Sequence, residues 1–104
     1  MIEEQEKDLK QQKQEGQMVE EMTSSRGWRE IVLPSIEARI EYRTNQLLES
    51  ESVNSMVGCQ QQIIALKDLL KFIDNIKIMG KQAEEALENE RASARDSIVN
   101  AKSG

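Results

Sequence analysis

The chain has 104 residues, enough for one small domain whose core buries only about two-thirds of its unfolded surface. Trp28, Tyr42 and Phe72 are its only aromatic residues, set among abundant Glu, Gln, Lys, Leu and Ile; this composition disfavours an all-β fold and suits helical, coiled-coil-like chains. The formal charge of −5 is uneven: residues 1–24 carry −4, residues 25–79 balance seven acids against seven bases, and the residues from Gly80 onward carry −1. An acidic segment repels phosphate backbones, which argues against direct nucleic-acid binding and leaves solubility or a basic partner as the better reading.

The chemistry that the chain lacks excludes further classes. There is no histidine, which removes the commonest general base, the usual zinc ligand and every Ser-His or Cys-His pair. Cys59 is the only cysteine, so no internal disulfide forms and a reducing compartment is the simplest expectation. The five glycines stand singly at Gly16, Gly27, Gly58, Gly80 and Gly104, with no phosphate-cradling or calcium-loop pattern. No apolar run approaches a membrane span, and the acidic opening MIEEQEKD is unlike the basic start of a signal peptide. No catalytic residue, cofactor or metal is expected, and the protein is placed in the cytoplasm at synthesis.

In chain order, residues 1–24 form an acidic, helix-permissive arm whose apolar residues Ile2, Leu9, Met18, Val19 and Met22 are sparse and interrupted by Gly16. Two readings stand: a solvated, partly frayed helix, or a docking helix ordered by a partner. Ser24 or Ser25 then caps a new helix. Trp28, Ile31, Val32, Ile36, Ile40 and Leu47 recur at helical spacing. Pro34 crowds the carbonyl four residues back and pushes Leu33 from the α region, so the helix either restarts there or kinks; a kink keeps Trp28 and Val32 in phase with Ile36 and Ile40. Arg39 and Arg43 fall with Glu37 and Glu41 on the other, solvated face. Residues 49–52 with Asn54 make a turn in which Ser52 or Asn54 caps the next helix, and so short a connection implies an antiparallel hairpin.

The following segment carries Met56, Cys59, Ile63, Leu66, Leu70 and Ile73 in alternating steps of three and four, a heptad seam. The hairpin core is therefore expected to hold Trp28, Val32, Ile36, Ile40 and Leu47 against Met56, Ile63, Leu66, Leu70 and Ile73, with Cys59 as a buried small hydrophobe. A second row, Leu69, Phe72, Ile76 and Met79, widens the apolar face beyond what one partner helix covers and is the candidate interface. Gly58, inside this helix, costs roughly 1 kcal/mol against alanine; either it admits a close approach near Trp28 or Leu47, or it is simply tolerated. Gly80 is expected to end the helix. Gln82 to Ala101 then forms a last helix with Ala83, Ala86, Leu87, Ala94 and Ile98, whose small residues suit either a close helix approach or an exposed helix. The expectation is an all-α antiparallel helical hairpin over 25–79 with additional N- and C-terminal helices over 1–24 and 80–104.

The stretch from Trp28 to Asn75, opening W-R-E-I-V-L-P-S-I-E-A-R-I-E and closing G-C-Q-Q-Q-I-I-A-L-K-D-L-L, resembles short hairpin proteins of tailed bacteriophages, which are typically encoded among virion structural genes. In such proteins an early tryptophan opens the first helix and a Gln- and Leu-bearing segment closes the second; the corresponding residues are Trp28, Gln61, Ile64, Leu66, Leu69 and Leu70. The resemblance implies a virion component at the portal, neck or inner capsid, present in symmetric copies, as a homo-oligomer or with other phage structural proteins as partners. A transient scaffolding-type factor engaging a basic coat protein, and a coiled-coil regulator of a host or phage protein, are the alternative functions.

Overall fold

The computed structural model describes residues 2–103, with side-chain surroundings from residue 2 to residue 96. These residues form an all-α protein of three helices with no strand among them: α1 (Glu3–Ser24), α2 (Leu33–Glu49), which a π-helical turn (Trp28–Val32) precedes, and α3 (Val53–Ser103). No helix of the described residues is long and apolar enough to cross a membrane. The chain divides into two compact units, Glu21–Asp74 and Met1–Glu20 with Asn75–Gly104.

The unit Glu21–Asp74 is the hairpin unit. At the end of α1, Ser25 turns the chain: its Oγ donates to the Met22 carbonyl at 2.6 Å and accepts the Trp28 N–H at 3.2 Å, while the Arg29 N–H donates to the Ser25 carbonyl at 3.1 Å. Ser25 is thus the expected cap, satisfying amides that a helix start leaves without partners. Pro34 does not expel Leu33 from the α region, and α2 begins at Leu33, beside it. Leu33 keeps helical angles of −62° and −48°, and its N–H donates to the Trp28 carbonyl five residues back. This wider turn lies just ahead of the proline, which sits in the first turn of α2, where a missing N–H costs nothing.

Three serines build the connection from α2 to α3. Ser50 is extended, with φ −68° and ψ 131°, and ends α2. Its Oγ donates to the Gln46 carbonyl at 2.9 Å and lies 3.0 Å from the Ser55 Oγ; the Ser52 Oγ accepts the Ser55 N–H at 3.2 Å. Ser52 therefore caps α3, as expected, and Asn54 lies within the helix. So short a connection returns α3 antiparallel to α2, and one trough is lined by Arg43 and Gln46 from α2 and by Gly58, Cys59 and Gln62 from α3.

The unit Met1–Glu20 with Asn75–Gly104 is the glycine unit. Gly80 does not end a helix: α3 runs through it to Ser103, so the separate last helix expected from Gln82 is the continuation of α3. Gly16 does not interrupt α1 either, and both glycines are buried. A Cβ on Gly16 would stand 2.7 Å from the Gly80 Cα and 3.2 Å from the Ile76 carbonyl oxygen; one on Gly80 would stand 2.7 Å from the Gly16 Cα and 3.1 Å from the Gln12 carbonyl oxygen. Only residues without a side chain let two helix backbones come this close. On α1 the less exposed positions Leu9, Gln12, Gly16 and Val19 recur in steps of three and four; on α3 they are Ile76, Gly80, Ala83 and Leu87. Ala83 and Leu87 are buried, Ala86 is half-buried and Ala94 is exposed; Ile98 lies outside the residues whose side chains are described.

Candidate interaction surface

Within the hairpin unit, the seam of α3 faces α2. Cys59 and Ile63 are buried there, and Leu66, Leu70 and Ile73 are half-buried, opposite the half-buried Trp28, Ile36, Ile40 and Leu47 of the other strand of the hairpin. Two residues expected in this core are exposed. Val32 lies in the π-helical turn, whose extra residue rotates it off the stripe that Ile36 and Ile40 define. Met56 is in the first turn of α3, where its neighbours across the hairpin are the last turn of α2 and the polar connection. Arg43, expected on a solvated face, is half-buried: its Nη1 donates to Gln46 Oε1 at 2.6 Å, and its guanidinium carbon lies 5.5 Å from the Tyr42 ring centroid. Its Nε is buried without a hydrogen-bond partner among the described residues.

The candidate interface row is distributed over both units. Leu69 and Phe72, in the hairpin unit, are exposed, Phe72 by 61%. In the glycine unit Met79 is exposed, whereas Ile76 is half-buried, its carbonyl beside Gly16. Ile76 therefore belongs with the helix contact of its own unit more than with an outer surface. Ile31, Leu48, Val53, Val57 and Ile64 add exposed apolar side chains to the hairpin unit that the stripe analysis did not single out as interface. Among the described residues, the buried apolar side chains are Cys59, Ile63, Ala83 and Leu87.

Two grooves run along the hairpin between α2 and α3. One, of about 640 Å³, is the trough of Arg43, Gln46, Gly58 and Gln62. The other, of about 260 Å³, is lined by Arg39, Arg43, Gln62, Ala65 and Leu66. Gly58 makes no close approach to Trp28 or Leu47; a Cβ there would meet nothing within 4 Å. Among the described residues, no group of three or more His, Cys, Asp or Glu is placed to hold a metal ion. What the arrangement offers is exposed apolar helix surface, chemistry suited to helix–helix contact.

In comparisons with known proteins, no family model, no curated protein and no solved structure matches the chain. The class that the fold defines is all-α, three helices with a hairpin between α2 and α3.

Proposed function

We propose that this chain is a non-enzymatic assembly protein that acts through helix–helix oligomerisation. The observation that carries the reading is the exposed pair Leu69 and Phe72 on a helix whose opposite face already packs against α2. A helix apolar on two faces has more apolar surface than one partner helix covers, and large exposed apolar patches mark interaction sites. The absence of histidine from the sequence and the placement of its single cysteine in the hairpin seam support a packing role over a catalytic one. The resemblance of residues 28–75 to phage hairpin proteins supports a place in a virion, at the portal, neck or inner capsid, among other copies or other structural proteins.

A transient scaffolding role is the second reading, favoured by the net charge of −4 over residues 1–24, which suits a basic coat protein. Particles assembled with the protein and then lacking it at maturity would decide for that role.

The test is light scattering across a concentration series, with circular dichroism on the same samples. A helical oligomer is expected, and Leu69→Lys with Phe72→Lys should shift it toward monomer while helicity is retained. A helical species that is monomeric at every concentration overturns the oligomerisation reading.

A further inference from the structure

No further inference is drawn: the strongest candidate, the exposed apolar side chains Val57, Ile64, Leu69 and Phe72 on the surface of α3 in the hairpin unit, carries nothing beyond the assembly reading above, because nothing in the structure shows what covers them.

Discussion

The glycine unit and the hairpin unit solve the same problem, holding two helices together, in opposite ways. In the glycine unit side chains are removed where α1 and α3 meet: Gly16, Gly80 and Ala83 let the backbones touch, and Leu87 completes a narrow, fully covered contact. In the hairpin unit large aliphatic residues stay at the contact, and most of them, Ile36, Ile40, Leu47, Leu66, Leu70 and Ile73, remain only half-buried. Close approach covers the contact itself, because small residues leave little side chain between the backbones, although Met18, Ile78 and Met79 of the same unit stay exposed. Bulky residues on two-helix packing leave surface over by construction, since the pair has no third layer to cover it. The α1–α3 contact is covered, and the α2–α3 contact is covered only in part.

That contrast can be broken most severely at Leu87. Truncating a buried leucine to alanine removes apolar contacts and leaves a cavity, so Leu87→Ala should lower stability by about 3 kcal/mol, seen as a reduced thermal midpoint by circular dichroism. If stability is unchanged, the contact is not the closed one described. Next in size is Gly80→Ala, where the new methyl meets the Gly16 backbone at 2.7 Å; the helices must part, and a net loss of about 2 kcal/mol is expected despite the better helix propensity of alanine. The same substitution at Gly58 should carry the opposite sign. With open space around its Cβ, Gly58→Ala should stabilise the hairpin by about 1 kcal/mol when melting is measured at concentrations too low for association. Equal signs at Gly80 and Gly58 would erase the distinction between the units. The smallest effect belongs to Cys59→Ala, which removes one sulfur from the seam and should cost no more than about 1 kcal/mol by urea titration.

Much of the hairpin is legible in the sequence because its signals are local. The hydroxyl groups of Ser25 and Ser52 can cap only the amides a few residues ahead, and they do. The seam from Cys59 to Ile73 follows from the steps of three and four alone. The glycine unit is harder to see, because glycine has two opposite uses. Gly80 after an apolar run matches a helix end, yet it also stands in phase with the seam, since Ile73, Ile76, Gly80, Ala83 and Leu87 continue the same steps of three and four. The absence of any polar turn or proline after Gly80 was the available sign that the helix goes on. Gly16 bears the same relation to Leu9, Gln12 and Val19 on α1, and recognising either glycine as a contact requires its partner, which lies sixty-four positions away in the chain. Val32 and Met56 escaped the stripe for reasons that periodicity does not encode, a π-helical turn and the end of a helix pair.

The most direct test of the proposed association through the hairpin unit compares two side chains of nearly equal exposure, Phe72 in the hairpin unit at 61% and Met18 in the glycine unit at 62%. Hydroxyl-radical footprinting with mass spectrometry, run from low to high protein concentration, reads each against its own low-concentration value. Labelling of Phe72 should fall as the concentration rises while labelling of Met18 holds constant. Both falling together, or neither falling, would contradict the proposal that the hairpin unit is the one that receives another chain.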